Sequence, residues 1–418
     1  MEESKEQGNE SNIEKPKNNY AEKQNIIHII DNVKSEIILE YCFGIYRFQF
    51  VDGQLHLPNW KIKALGILFI VIYVPIFFWF LFLPDPFDFI EMYRAVYLMD
   101  TIPSLVVFFQ YIAAIISASF GIGSMNIRMI TLLAEADAML QVEKCAQFYK
   151  KISFRLNRHL IILLISQTIN GVLDLCSTSD FKWGAVVLPL YFIQKIEIFT
   201  FCTYIIMVDW RLTIINGYLK EFVQEQTKKI LPIFTVRDTK KQTRETVKFI
   251  GHPSGNNTKI RDLATTYDNL GEICSLTNKV FNFQNFLSLV SGFTYIVTTI
   301  WISLSFYRTP GYSNSRKLVN VMVWCFNTIC NIITMSYTCE QLLVTRNETR
   351  ILVNKIIMNY DLPKTMRVQA KAFMELVEAW PLRIYVYDMF SIDIKLMLKF
   401  ISVATTYLIV IIQISHFI

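Results

Sequence analysis

The sequence contains few charged residues and few histidines. Only 18% of its 418 residues are charged and five are His, whereas a soluble protein of ordinary composition is about 25% charged. The His residues form no pair with metal-ligand spacing, and no GxSxG, HExxH or P-loop motif occurs. These absences exclude the motif-bearing hydrolases, zinc proteases and nucleotide-binding enzymes. We therefore predict a protein that is not an enzyme and that uses no cofactor and no metal.

Paired cysteines and basic aromatic patches are also missing. The eight Cys residues are scattered, and even Cys325 and Cys330 lie five positions apart instead of forming a CxxC motif. We therefore predict that the chain has no structural disulfide. No basic stretch is interleaved with aromatic residues outside the apolar segments, so the net charge of +6 does not indicate a nucleic-acid partner.

Long hydrophobic runs are what the sequence does contain. Hydrophobic residues make up 53% of the chain, with 32 Phe and a mean hydropathy of +0.34. A helix that spans a membrane needs about 20 mostly apolar residues, and seven segments qualify. The third is the weakest, because Gln167, Asn170 and Asp174 interrupt it. The predicted spans are 62–83, 101–120, 159–176, 184–208, 285–307, 318–339 and 394–417.

The distribution of basic residues predicts the orientation of these spans. If the N-terminus is intracellular, 35 of the 41 Lys and Arg residues fall on the cytosolic side, as the positive-inside rule requires. The fold class is then all-α, a polytopic membrane protein of seven transmembrane helices with an intracellular N-terminus and an extracellular C-terminus. No signal peptide opens the chain, so we expect insertion to begin at the first span.

The segments between the spans divide the chain further. We predict a disordered cytosolic tail, two regions that hold the spans, a cytosolic loop and helix, cytosolic helices before the last span, and the last span itself. The corresponding ranges are 1–25 for the tail, 26–210 for spans one to four, 211–284 for the loop and helix, 285–339 for spans five and six, 340–393 for the cytosolic helices, and 394–418 for the last span.

Two cytosolic stretches have helical hydrophobic periodicity. Apolar residues recur at 3–4 spacing in 260–283 and at strict 4-3 steps in 364–388, which predicts two helices that pack together and continue into the fifth and seventh spans. Pro381 must disturb the second helix. The alternative is an amphipathic helix on the membrane surface. Residues 226–259 are charged and rich in turn residues, and we predict a mobile loop there.

The most specific pattern lies in the last span. Thr406 and Tyr407 are followed by five hydrophobic residues and Gln413, and the run Phe390–Lys395 precedes the span. This arrangement resembles the C-terminal signature of insect gustatory receptors, in which Phe follows the Gln. The chain departs from that signature at Ile414. It also has Leu408 after the Thr-Tyr pair, where the sugar-sensing members carry Glu, which favours a bitter-type or divergent member.

The resemblance implies a function. Gustatory receptors are similar in fold to insect odorant receptors, and the likeness implies a ligand-gated cation channel in the plasma membrane of sensory neurons. Four subunits, identical or mixed with related receptors, would surround one pore lined by the last span, with the cytosolic helices between subunits. The implied partners are a small-molecule tastant and membrane lipid.

The last span has polar residues on one helical face. Ser402, Thr406, Ile409 and Gln413 follow each other at steps of 4, 3 and 4 residues, so a water-filled path could use this face. Together with Ile414, whose apolar side chain could close the path by dewetting, they are the candidate pore-lining residues. The alternative is that Thr406 and Gln413 hydrogen-bond neighbouring helices. We expect Tyr407 to pack against the fifth or sixth span.

Other polar residues inside the spans are candidates for a ligand site. An outward-opening cleft lined by aromatic and amide side chains would suit a neutral tastant or sugar. Packing and hydrogen bonding between helices is the alternative for each single residue. Lys195 and Glu197 are two positions apart, so they cannot simply pair with each other. The candidate ligand-binding residues are Asn170, Asp174, Gln194, Trp301, Trp324 and Asn327.

Three other functions compete with a gustatory channel. An odorant-type receptor subunit with the same inverted topology is the nearest alternative. A G-protein-coupled receptor would need its N-terminus outside. A secondary transporter would show inverted repeats with broken helices in matching positions, and seven unequal spans do not divide in that way.

Overall fold

Helices dominate the computed structural model, which describes residues 15–82, 91–142, 146–177, 181–230, 258–308 and 315–417. A π-helical turn, Ser117–Gly121, follows α3, and two short antiparallel hairpins complete the described elements. The elements are α1 (Lys15–Cys42), β1 (Gln49–Val51), β2 (Gln54–His56), α2 (Trp60–Phe82), α3 (Glu91–Ile116), α4 (Gly123–Met139), α5 (Ala146–Ser177), α6 (Phe181–Ile230), α7 (Thr258–Arg308), α8 (Ser315–Met358), α9 (Lys364–Ala379), β3 (Tyr385–Val386), β4 (Phe390–Ser391) and α10 (Ile394–Phe417).

Each predicted span lies within one helix, or within α3 and its π-helical turn, except that the first ends at residue 83, one position past α2 and outside the described residues. Among the described residues, five helices are long and apolar enough to cross a membrane, namely α2, α3, α6, α7 and α8. The three longest, α6, α7 and α8, have 50, 51 and 44 residues, which is about twice the length a crossing needs. One half of each can therefore cross a membrane while the other half continues beyond it.

The core is built on the three long helices. α6 packs along α8, α3 and α4 pack on α7, and α1 lies against α4 and α5. One apolar cluster fills the half of the bundle formed by α1, α4, α9 and the adjoining parts of the long helices. A second cluster joins α2 and α3 to the other parts of α6, α7 and α8.

α9 and the hairpin that follows are fixed to α7 at one glycine. A Cβ atom at Gly271 would lie only 2.4 Å from the Trp380 ring, so no larger residue fits without movement. The Trp380 indole N–H donates to the Asp268 carboxylate at 2.7 Å, and the Tyr267 hydroxyl donates to the Trp380 carbonyl at 2.8 Å. The predicted packing between the 260–283 helix and the 364–388 stretch is thus confirmed.

Three predicted boundaries were wrong. α1 begins at Lys15, so helix covers residues 15–25 of the region predicted as a disordered tail; residues 1–14 lie outside the described part. α9 ends at Ala379, just before Pro381, and β3 and β4 separate it from α10, so the 364–388 helix does not continue into the last span. Of the predicted loop 226–259, both ends are helical, and 231–257 lie outside the described residues.

Candidate functional site

Asp174 is the polar centre of the candidate ligand site. Its side chain lies between α5 and α8, where the Asn320 amide donates to it at 2.6 Å and the Trp324 indole N–H donates at 3.0 Å. Only 1% of Asp174 is exposed. Two N–H donors on one carboxylate stabilise its charge in a membrane helix, where an isolated charge is costly. Two of the predicted ligand residues, Asp174 and Trp324, are thus in direct contact.

Three aromatic rings from three helices meet beside Asp174. Trp324 of α8 packs against Tyr191 of α6 at a centroid distance of 5.1 Å and Tyr295 of α7 at 6.4 Å, and the two tyrosines lie 6.1 Å apart. Such offset and edge contacts are favourable beyond the area they bury. We call Tyr191, Tyr295 and Trp324 the aromatic cluster.

Lys195 lies on the other side of the aromatic cluster. Its ammonium is 5.6 Å from the centre of the Trp324 ring and donates to the Gln167 amide oxygen at 2.8 Å. Trp324 therefore touches a carboxylate with its N–H and a cation with its π face, an arrangement in which both charges are favourably placed. The prediction that Lys195 and Glu197 point apart is confirmed, because Glu197 instead pairs with Arg47.

Gln194 belongs to a second, deeper polar network. Its amide donates to the Gln110 side-chain oxygen at 2.9 Å, and the Gln110 amide donates to Ser288 at 2.8 Å and to the Gln284 carbonyl at 3.2 Å. This chain of amides joins α3, α6 and α7. A cavity of about 10 Å³ lies beside it, which is room for about one water molecule. Its lining consists of Gln194, Ile198, Ser288, Leu289, Thr328, Asn331, Ile332 and Met335.

Asn170 is buried, and its side-chain amide makes no hydrogen bond within the described residues. Only 1% of the residue is exposed, and neither its amide nitrogen nor its oxygen has a hydrogen-bond partner within the described residues. A buried unsatisfied polar atom costs about 1–3 kcal/mol, so this position has a strong requirement for a partner. It lies four residues before Asp174, on the same face of α5.

The remaining candidate ligand residues are less enclosed. Trp301 on α7 and Asn327 on α8 are both half-buried. The outward-opening cleft expected from the sequence is not seen in the described residues, where Trp324, expected to line it, packs against Tyr191 and Tyr295. Residues 83–90, 178–180 and 309–314 lie outside the described part of the chain.

Several residues of the site were not predicted. Tyr191, Tyr295, Asn320 and Gln110 were not among the candidates, although all four are buried there. Asn320 and Tyr191 could have been found, because each lies three to four positions from a predicted residue on the same helix. Tyr295 and Gln110 carried no such signal, since they join the site only through the packing of α3 and α7 against α6 and α8.

A hydrogen-bonded turn fixes the start of α10. The Asp393 carboxylate accepts from the backbone N–H groups of Lys395 at 3.0 Å and Leu396 at 3.3 Å, and the Ser391 hydroxyl donates to its other oxygen at 2.8 Å. Asp393 therefore caps the helix N-terminus, where negative charge and acceptors are stabilising. The short β3–β4 hairpin delivers Ser391 and Asp393 to this place.

The polar face of α10 is exposed. Ser402, Thr406, Ile409 and Gln413 are all exposed in the single chain, and the Thr406 hydroxyl donates to the Ser402 carbonyl at 3.0 Å. The side chain of Ile414 lies outside the described residues.

On a different side of α10, the Tyr407 ring packs edge-on against Phe293 of α7 at 5.4 Å, as expected for a contact with the fifth span. Phe293 also contacts Phe400 of α10 at 6.4 Å. α10 is thus fixed to α7 by aromatic contacts, while no element among the described residues covers its polar face.

Comparisons with known proteins give one family model and a set of solved structures with a similar fold. The sequence profile of the 7tm chemosensory receptors matches residues 38–416. No curated protein sequence matches the chain. Among solved structures, the olfactory receptor OR5 from Machilis hrabei in complex with eugenol has a TM-score of 0.64 at 11% identity, covering 93% of this chain and 100% of that one. A second structure of the olfactory receptor OR5 from Machilis hrabei has a TM-score of 0.63 at 10% identity, with the same coverage of both chains. At this identity the structural likeness establishes the fold alone.

Proposed function

Since the chain belongs to the 7tm chemosensory receptor family, we propose that it is a gustatory receptor that acts as a ligand-gated, non-selective cation channel. The family consists of receptors, so its members are not enzymes, in agreement with the missing catalytic motifs. Four copies, identical or mixed with related subunits, surround one pore in the plasma membrane of sensory neurons. The N-terminus is intracellular and the C-terminus extracellular, as the basic residues favour.

The exposed polar face of α10 is the observation that carries this proposal. Hydroxyl and amide groups in a membrane helix are stable only where they meet water or other protein groups. In one copy of the chain, Ser402, Thr406 and Gln413 are exposed, while Tyr407 holds α10 on α7. Rotational symmetry turns the same face of every copy toward one axis, so that these groups line a hydrated path.

The pore chemistry follows from the residue types on that face. Four Gln413 amide oxygens replace part of the hydration shell of a passing cation without introducing a fixed charge, which favours weak, non-selective conduction. Rings of Ile409 and Ile414 close the path by dewetting when the helices approach one another. Opening then requires only a small outward shift or rotation of α10.

The ligand binds at the aromatic cluster with Asp174 and Asn170. A small molecule that inserts between these side chains gains stacking on Tyr191, Tyr295 and Trp324, and supplies the hydrogen-bond partners that the buried Asn170 amide lacks. Leu408 favours a bitter-type or divergent ligand over a sugar. Because the three rings are in direct contact with one another, binding requires the cluster to separate, and this movement is the trigger.

α7 connects the two sites. Tyr295 of the aromatic cluster and Phe293, which contacts α10, are two residues apart and point to different sides of α7. A ligand that displaces Tyr295 rotates this segment of α7 and with it the surface on which Tyr407 rests. The coupling therefore depends on one helix that contacts both ligand and pore elements.

The test of this function is a current measured without G-protein signalling. The chain, expressed in cultured cells alone or with sister subunits, gives a ligand-evoked cation current that persists when G proteins are blocked. A block that abolishes the current contradicts the channel.

Trp324→Phe weakens the ligand response, whereas Phe326→Leu leaves it unchanged, because Phe326 is 68% exposed on α8. Equal loss in both variants contradicts the ligand site. A glycosylation acceptor that is used at the N-terminus and not at the C-terminus contradicts the orientation.

An odorant-type receptor is the second candidate. Two solved structures that share the fold are of an olfactory receptor, and both types have the same inverted arrangement of spans. A panel that holds volatile odorants beside water-soluble tastants separates the two by which set evokes current.

A further inference from the structure

A cluster of buried ionisable groups joins α1 to α6, away from the ligand site and the α10 face. Glu36 and Glu40 come from α1, Arg47 from the segment after it, and Glu197 from α6. All four are at least 94% buried. Ionised groups are buried only where partners compensate the loss of water, so the balance of charge in this cluster decides its state.

Arg47 compensates two of the three carboxylates. Its Nε donates to both oxygens of Glu40, at 3.0 and 3.1 Å, and its Nη2 donates to Glu197 Oε2 at 2.7 Å. The guanidinium also lies over the Phe281 ring of α7, 4.9 Å from its centre. One cation therefore holds α1, α6 and α7 together. Its two ion pairs are formed with Glu40 and Glu197.

Glu36 lies outside these ion pairs. The Thr203 hydroxyl, a neutral group, donates to Glu36 Oε2 at 3.1 Å. The neighbouring Thr200 hydroxyl donates to Glu40 Oε1 at 2.8 Å and is also within hydrogen-bonding reach of Glu36. Three ionised carboxylates around one guanidinium would leave a buried net charge of about −2, so at least one proton has to remain in the cluster. Glu36 takes part in neither of the two ion pairs of Arg47, so the proton resides on Glu36.

The electrostatic surroundings of Glu36 agree with the geometry. Burial and the nearby Glu40 raise the pKa of the Glu36 carboxyl, the threonine hydroxyls and Arg47 lower it, and the net effect is a rise from 4.5 to about 8. The other titratable groups facing the cluster are Cys202 and Tyr204 of α6. Neither supplies a positive charge that could compensate an ionised Glu36.

We propose that Glu36 is a proton-binding site, occupied while α1 is docked on α6, and that release of this proton loosens α1 from α6. Ionisation of Glu36 places a carboxylate that has no ion pair with Arg47 beside the ionised Glu40, and repulsion and hydration then favour separation of the two helices. The receptor thereby has a response to pH that is built into the docking of its N-terminal helix. This inference is independent of the proposed pore and ligand.

The direction of the effect follows from linkage. The folded chain keeps the Glu36 proton up to about pH 8, whereas the unfolded chain loses it near the ordinary value of 4.5. The contribution of this group to stability is therefore fully present below pH 4.5 and is lost as pH rises through about 8. Alkaline conditions weaken the docking of α1.

Thermal unfolding of the full chain in lipid nanodiscs tests the proposal. We expect the midpoint of the wild type to fall as pH rises through this window, and Glu36→Gln, which imitates the protonated carboxyl, to remove most of that fall. Glu272→Gln is the matched control, because Glu272 is an exposed carboxylate paired with Arg128, and it keeps the wild-type dependence. A Glu36→Gln variant with the same pH dependence as the wild type overturns the proposal.

Two further measurements keep the proposal testable if Glu36→Gln does not fold. Infrared difference spectra of the wild type at neutral pH contain the carbonyl band of a protonated carboxylic acid, which disappears when the pH is raised above the window. Thr203→Val removes a hydroxyl that stabilises the ionised form, so it moves this transition to higher pH. No protonated-acid band at neutral pH, or a transition that Thr203→Val leaves in place, overturns the proposal.

Discussion

Two helices, α2 and α10, are both apolar and both widely exposed in the single chain, but their exposed surfaces differ in kind. Val71 and Trp79 of α2 are 59% and 66% exposed, and between positions 64 and 82 only Tyr73 carries a hydroxyl. That hydroxyl is directed inward and donates to the Val186 carbonyl. α2 thus presents a surface without polar side chains, as contact with lipid requires.

α10 exposes polar side chains along one stripe. Ser402, Thr406 and Gln413 recur on a single face, while Tyr407 and Phe400 contact α7. We therefore propose that the two helices, although both are exposed in the single chain, have different surroundings: lipid for α2, and water or neighbouring subunits for α10. The polarity of an exposed face, more than its extent, indicates which solvent a membrane helix meets.

We expect the two helices to differ most in how they tolerate an introduced positive charge. Val71→Lys puts a cation on the lipid face of α2 and costs about 2.5–3.5 kcal/mol of insertion free energy, so we expect little protein at the cell surface. Ile409→Lys puts the same charge on the polar face of α10, where water hydrates it. That variant reaches the surface but carries no cation current, because four positive charges repel cations. Surface biotinylation and current recordings distinguish the two, and an equal loss of surface protein in both contradicts the comparison.

A smaller effect is expected at the start of α10. Asp393→Ala removes the cap that fixes this helix and costs about 1 kcal/mol, while Asp393→Asn keeps an acceptor and loses less. We expect a lower thermal midpoint and a larger current without ligand for Asp393→Ala, with Asp393→Asn in between. The two variants are impaired equally if the charge of Asp393, and not its hydrogen bonds, is what holds the helix.

The smallest effect is expected at Tyr73 of α2. Tyr73→Phe removes one hydrogen bond inside the membrane, worth about 0.6 kcal/mol, and leaves the lipid surface of α2 unchanged. We expect a small drop in the thermal midpoint and no change in ion selectivity. A change in selectivity in Tyr73→Phe would show that α2, and not α10 alone, borders the ion path.

The helices that hold the predicted spans could be predicted from the sequence because each contains a local run of apolar residues. The contact of Tyr407 with α7 also followed from a local pattern, since the tyrosine points away from the polar stripe. In contrast, the end of α9 was predicted wrongly, because the apolar periodicity of 364–388 continues past Pro381 although the helix does not. The chain instead forms the β3–β4 hairpin, which brings Asp393 to the start of α10.

The partners of buried polar groups could not be predicted, because they come from distant parts of the chain. The sequence indicated that Glu197 needs a partner but not that Arg47, 150 residues earlier, would supply it. Likewise, Tyr295 reaches Trp324 only because α7 and α8 pack side by side. Such contacts depend on tertiary packing, about which helical periodicity carries no information.

Reaction of introduced cysteines with a charged, membrane-impermeant thiol reagent tests most directly whether α10 lines a hydrated path. Thr406→Cys should react, faster with ligand present, and the reaction should block the current beyond any effect on the wild type, whose own Cys42 and Cys176 are exposed. Val71→Cys on α2 should not react, because lipid excludes the reagent. Reaction of Val71→Cys at the rate of Thr406→Cys, or no block after labelling of Thr406→Cys, would contradict the account.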